Sequence, residues 1–216
     1  NQSVRLDYLT LFAEDEKKAK SVIKKYNIAE QVNHVFTASE SDSEQQLRSL
    51  EIETSQVEHI QDLLSKIVYP SPDWRVNPSV LEENVLSQSG LWAFGISGDY
   101  PILLVLIHKE DQVESLQHFM MAHAYWRKQK LMIDFVILNS KPGGYAQELN
   151  EKIHKLISVM DSQIVVNQRG GIFVLTASQM DTNALRLLKS SAKALIDLKS
   201  GDLEGYLARS AAMEPN

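Results

Sequence analysis

The stretch "ILLVLIHKEDQVESLQHFMMAHAYWRKQKLMIDFVIL", residues 102–138, decides the fold. It opens on Ile102 to Ile107, an unbroken run of β-branched residues and leucines. Such a run marks a strand covered on both faces. Asp111 to Gln129 has helical spacing, and Met132 to Leu138 is a second strand-like run. Strand, helix and strand within roughly 30 residues make one βαβ unit.

The pattern continues downstream. Tyr145, Leu149, Ile153, Leu156 and Ile157 mark an amphipathic helix. Ile164 to Val166 and Gly171 to Leu175 read as short strands around "NQRG". Leu185, Leu188, Ala192 and Leu195 define a further helix by their spacing. The fold class expected is α/β: an open, mainly parallel three-layer sheet.

Upstream the pattern differs. Val4 to Ala13 alternates like a strand, and "EDEKKAKSVIKKY" puts acids first and lysines later, the order a helix dipole favours. Ile28 to Ala38 reads as a second helix, ended by the polar break "SESDS" at 39–43. Val57, Ile60, Leu64 and Ile67 place a helix over 54–69. "YPSPDWRVNPS" then supplies Pro70, Pro72 and Pro78, an extended connection. The expected organisation is an N-terminal strand-plus-helices lead over 1–69, a Pro-rich connection over 70–90 and an α/β domain over 91–216.

The bulk composition narrows the function classes. Of the 216 residues, 44% are hydrophobic, which is enough for a real core. A net charge of −6 argues against a nonspecific grip on nucleic acid. The chain has no cysteine, so disulfides, thiolate metal sites and cysteine nucleophiles are out. No apolar run approaches the roughly 20 residues of a membrane helix, so membrane contact by this chain is not expected. A soluble, cytoplasmic setting is expected. The start at Asn1 suggests an excised piece of a longer parent.

The candidate site residues fall in two loops. "GISGD", Gly95 to Asp99, invites comparison with the Gly-x-Ser-x-Gly nucleophile elbow. Its second glycine comes one place early, and its strand follows the serine instead of preceding it. The simpler reading is a turn in which Ser97 and Asp99 bond local backbone. "NSKPGGYAQ", Asn139 to Gln147, leaves a strand and enters a helix, where open α/β sheets bind ligands. It offers Asn139, Lys141 and the amides of Gly143 and Gly144, yet matches no phosphate-binding fingerprint. The substrate-binding candidates are therefore Trp92, Ser97, Asp99, Tyr100, Asn139, Lys141, Gly143 and Gly144. No catalytic residue, metal or cofactor is expected.

The remaining chemistry-bearing side chains have ordinary readings. His118 and His123 lie about 140° apart on one helix, so they cannot share a metal. His123 falls in the apolar stripe and reads as a hydrogen-bonded core histidine; His118 reads as solvent-facing. Trp92, Phe94, Tyr100, Tyr125 and Trp126 could stack on sugars, but packing is the simpler role. The acidic pairs, Glu110-Asp111 among them, sit at turns or helix starts and complement dipoles.

Three segments in order carry a resemblance: "LWAFGISGDYPILLVLI", "AHAYWRKQKLMIDFVILN" and "GGIFVL". The chain from about Trp92 onward resembles the cyclic β-1,2-glucan synthetases and related large family 94 glycoside phosphorylase-type proteins. The matching residues are Leu91, Trp92, Gly95 to Asp99, Pro101, Tyr125 to Arg127, Leu131, Asp134, Val136 to Asn139 and Gly170 to Leu175. Ala93 and Tyr100 depart from the family pattern. The resemblance implies a large, multi-module parent that builds or rearranges β-1,2-glucan, with its catalytic centres in other modules. It implies a non-catalytic connecting domain whose partners are neighbouring modules, with glucan as a further contact. The alternatives are a carbohydrate-binding module and a small independent hydrolase or phosphate-binding enzyme.

Overall fold

The computed structural model describes residues 4, 8–141, 143, 146–160 and 163–213, with the side chains of 163 and 209–213 set aside. The chain divides into two compact units, 1–51 and 52–216.

The first unit holds α1 (Glu16–Tyr26) and α2 (Ala29–Ser49). Asp15 caps α1: its Oδ1 accepts the Lys18 amide at 2.7 Å, satisfying one of the helix's free donors. Neither helix has a buried residue. Two expectations need correction here. The strand read over 4–13 is absent among its described residues, Val4 and 8–13, and Tyr8 and Phe12 are fully solvated. Alternation alone makes no strand where no neighbour takes up the backbone groups. The polar break at 39–43 lies inside α2. Its serines and acids lie on the surface, where each costs a helix only about half a kcal/mol, and Glu44 pairs with Arg48 one turn on.

The second unit is the α/β fold. It begins with α3 (Thr54–Val68), whose capping box is made by Glu53 and Gln56. A short α4 (Pro78–Glu82) follows, started by Asn77 and Pro78. Then come β1 (Ile102–Ile107), α5 (Val113–Lys128), β2 (Asp134–Asn139), α6 (Ala146–Val159), β3 (Ile172–Thr176), α7 (Thr182–Ser191), β4 (Ala192–Asp197) and α8 (Leu203–Met213). The four strands lie in the order β3-β2-β1-β4. All pairs are parallel, with Ile102 opposite Asp134 and Phe135 opposite Ile172. Helices cover both sides of the sheet. The α/β class read from the sequence is therefore the fold observed. α3 packs on β4 and α8, inside the second unit.

β1 is buried along its whole length, as its composition requires. On one face Ile102, Leu104 and Leu106 meet Val136, Leu138 and Phe173 under Leu187 and Leu188 of α7.

Two sequence assignments in this half are corrected. The helical spacing through Ala192 and Leu195 does not hold: α7 ends at Ser191, and Ala192 turns extended at φ −63°, ψ 132°. Ala192, Ala194 and Ile196 are buried as β4 while Lys193 is exposed. Burial beside β1 outweighs helix continuation there. The strand expected at 164–166 is a 3-10 turn over Gln163–Val165, and Val166 adds one isolated bridge to Ile172.

Candidate functional site

The strand order reverses between β1 and β4. β2 and β3 extend from one side of β1, and β4 lies on the other. Open α/β sheets bind ligands outside the carboxyl ends of strands at such a point. Here the crevice is filled by the protein's own groups. His108, just past β1, meets Asp197 at the end of β4, Nε2 to Oδ1 at 2.7 Å. The Gln112 Oε1 accepts the amides of His108 and Lys109 at 2.8 and 3.0 Å. Its Nε2 donates to the Leu198 carbonyl at 2.8 Å. The Asp197 amide donates to the Tyr206 hydroxyl at 2.8 Å. Backbone amides that could greet a phosphate are thus already engaged.

The neighbouring end of β2 carries the second predicted loop. The buried Asn139 donates to the Ala146 carbonyl and to Asn150 Oδ1, at 2.7 and 2.8 Å. Asn150 passes the chain on to Thr176 Oγ1 at 2.9 Å. Lys141 pairs with Glu110 at 2.8 Å, and Lys152 pairs with the other oxygen of that carboxylate. Hydrogen bonds from Lys141, then Lys152, hold the Glu110 carboxyl down to about 2. Glu110 is therefore more than the dipole-complementing acid expected. Gly143 sits at φ +70° with open space around it. Gly144 lies outside the described residues.

The segments that carry the family resemblance converge at the opposite, N-terminal edge of the sheet. Asp134, the first residue of β2, is fully buried. Its Oδ1 accepts the Gly170 amide at 2.7 Å, and its Oδ2 has no partner among the described residues. Burial raises its carboxyl above the usual range, and the Gly170 hydrogen bond opposes that. His123 Nε2 faces two carbonyls, Ile133 at 3.0 Å and Gly170 at 3.1 Å. Both are acceptors, so Nε2 carries the proton. Burial pulls this imidazole down to about 4. Arg127 also donates to the Gly170 carbonyl. One turn outward, Arg169 pairs with Asp99 at 2.6 Å and lies over the Tyr100 ring at 5.2 Å. The core histidine read from the apolar stripe is thus what the fold contains, and His118 is exposed.

Ser97 carries no nucleophile geometry. Its Oγ accepts the Asp99 amide at 3.2 Å, and its carbonyl accepts from Gln88 and from the Trp92 indole. Trp92 itself is 65% exposed, against the packing role expected. A shallow groove, with Trp92 outside its lining, runs between Gln88, Tyr100, Asn84 and the α7–β4 junction at Ser190, Ser191 and Lys193.

The seven described candidates do not form one site. Trp92, Ser97, Asp99 and Tyr100 gather at the N-terminal edge; Asn139 ends β2, with Lys141 and Gly143 past it. A six-residue strand separates the two groups by roughly 20 Å. His108, Gln112, Asp197 and Tyr206 were missed by sequence reasoning, because β4 was read as helix and the switch point was therefore invisible.

The geometry defines a doubly wound α/β module with a closed switch point. No family model matches the chain. Over 213 residues, 98% of this chain, it is 24% identical to the cyclic beta-(1,2)-glucan synthase NdvB of Rhizobium meliloti (strain 1021). The chain spans 8% of the length of that relative. The resemblance to the cyclic β-1,2-glucan synthetases is thereby borne out; the comparison lends no support to a phosphorylase. No helix among the described residues is long and apolar enough to cross a membrane.

Proposed function

We propose that this chain is a non-catalytic α/β module of a cyclic β-1,2-glucan synthase-like protein, acting to orient neighbouring modules. The supporting observation is the closed switch point, where Gln112 ties both loops together and occupies the amides a phosphate would need. The motif segments support the same reading. Asp134, His123 and Arg127 all bond the Gly170 backbone and present no open pocket with a free nucleophile. The test is an assay of the purified chain with nucleotide-glucose and with β-1,2-glucan. No turnover is expected, and turnover of either would overturn the reading.

A second reading adds a glucan contact. It rests on the exposed Trp92 and on the groove lined by Tyr100, Gln88 and Asn84, an aromatic beside amide donors, which suits a sugar ring. Titration with β-1,2-glucooligosaccharides should then shift NMR signals of residues 84–100. Flat titrations at millimolar sugar would remove this contact and leave the orienting role.

A further inference from the structure

Away from both sheet edges, α3, α5 and the first turn of α8 line a partly open cavity of about 110 Å³. Ile60, Met121 and Leu203 line it with buried apolar surface. Its remaining wall is polar: Gln56, His59, His118, Asp202 and Glu204. The volume is far below the roughly 300–1,000 Å³ of sites for drug-sized ligands, so a nucleotide does not fit. Two carboxylates would repel a phosphate or a carboxylate. No group of three or more metal-ligating side chains stands close enough to hold an ion among the described residues. No Phe, Tyr or Trp lines the cavity for a sugar to stack on.

One ligand chemistry matches what is left. We propose that this cavity binds an alkyl cation, a primary ammonium or guanidinium on an aliphatic stem. The stem lies on Ile60, Met121 and Leu203, as the methylenes of lysine commonly lie on apolar surface. The cation meets the carboxylates of Asp202 and Glu204; the Gln56 carbonyl is already taken by the Glu53 amide at 2.9 Å, in the capping box of α3. Asp202 already spends Oδ1 on the Gly205 amide at 2.9 Å, capping α8, which leaves Oδ2 for the ligand. The inference goes beyond the module reading above and does not depend on it. Two sources carry this chemistry: a free polyamine, or a lysine or arginine side chain from another polypeptide segment.

The test is an NMR titration of the 216-residue chain with 1,5-diaminopentane, using 1,5-pentanediol as the uncharged analogue. The diamine is expected to shift the Met121 methyl and the His59 and His118 rings at millimolar concentration, and the diol to leave them unmoved. Glu204→Gln should raise Kd about 3- to 5-fold, the scale of one partly exposed ion pair. Asp202→Asn should do the same while keeping the helix cap, since asparagine caps as well as aspartate. Unchanged spectra elsewhere would show that both variants fold. Shifts scattered over the acidic surface, equal shifts with the diol, or an unchanged Kd in both variants would overturn the proposal. Nα-acetyl-lysine N-methylamide separates the sources. Binding as tight as the diamine's assigns the cavity to a protein side chain, and binding by the diamine alone assigns it to a free polyamine.

Discussion

Asp134 Oδ1 accepts the amide hydrogen of Gly170 at 2.7 Å, and that bond ties the first residue of β2 to the turn that launches β3. The carboxylate is buried with its second oxygen unpartnered among the described residues. Removing the acceptor strands a buried amide, so Asp134→Ala should cost about 1–3 kcal/mol. Asp134→Asn keeps the acceptor and removes the charge. The native carboxyl is raised by burial, so the folded state binds more protons than the unfolded one. Wild-type stability is then lost as pH rises from the ordinary aspartate range through the raised value. The asparagine variant escapes that loss and should gain on wild type as pH rises from 4 to 8. Urea midpoints across that range measure it, and two parallel curves would count against the assignment.

His123 contributes in the other direction. Its imidazole is held near 4 by burial, against an ordinary 6.5. The unfolded chain takes up a proton as pH falls through 6.5, and the folded chain resists until about 4. Stability is therefore full above that window and falls by about 3 kcal/mol across it. His123→Gln retains a donor toward the Ile133 and Gly170 carbonyls and does not titrate. It should flatten the curve between pH 6.5 and 4, read by guanidinium unfolding. A variant as acid-sensitive as wild type in that window would place the titration elsewhere. The Glu110 carboxylate, held down to about 2 from 4.5, acts in a lower window and can be told apart.

Much of this architecture was legible in residues. Ile102 to Ile107 read as a covered strand from its short length and β-branched content, and the spacing to Asp134 read as a crossover. His123 was legible from the stripe it shares with Leu116 and Met120. β4 was hidden because α7 runs into it with no loop, glycine or proline between Ser191 and Ala192. The signal that could have found it is the alternation of Ala192, Ala194 and Ile196 with the exposed Lys193. Without β4 the reversal of strand order has no address, so the contact of His108 with Asp197 could not be anticipated. Hydrogen bonds spanning 89 and 36 residues, such as that one and Asp134 with Gly170, leave no local periodicity.

Two glycines, Gly171 before β3 and Gly143 after β2, separate structural need from turn convenience. A Cβ on Gly171 would lie 1.9 Å from the Val165 carbonyl oxygen, which is backbone and cannot step aside. Gly143 sits at positive φ, +70°, a conformation Gly171 does not adopt, but nothing lies within 4 Å of its missing Cβ. Gly143→Ala should cost about 1 kcal/mol of backbone strain. Gly171→Ala must displace the 165–168 turn and should cost about 3 kcal/mol or more, at the upper end of single substitutions. Thermal unfolding of the two variants measures the contrast. Equal losses would mean that the turn before β3 yields freely.

Gln112 closes the switch point through three bonds, two accepted from His108 and Lys109 and one donated to Leu198. Gln112→Ala removes all three, from the half-buried His108, the exposed Lys109 and the buried Leu198, and should cost about 1–3 kcal/mol. Gln112→Glu is the sharper probe. An ionised carboxylate still accepts the two amides, but its second oxygen faces the Leu198 carbonyl and repels it. Protonated, the same group donates there and reproduces the glutamine pattern. The introduced carboxyl is thus held above the ordinary glutamate range. Its folded state binds the extra proton, so the variant should match wild type near pH 4 and lose about 1–2 kcal/mol as pH rises to 8. Guanidinium midpoints at the two pH values, with Gln112→Ala alongside, measure this. A glutamate variant that tracks wild type at pH 8 would show that the bond to Leu198 contributes nothing. The closure would then rest on the amides of His108 and Lys109 alone.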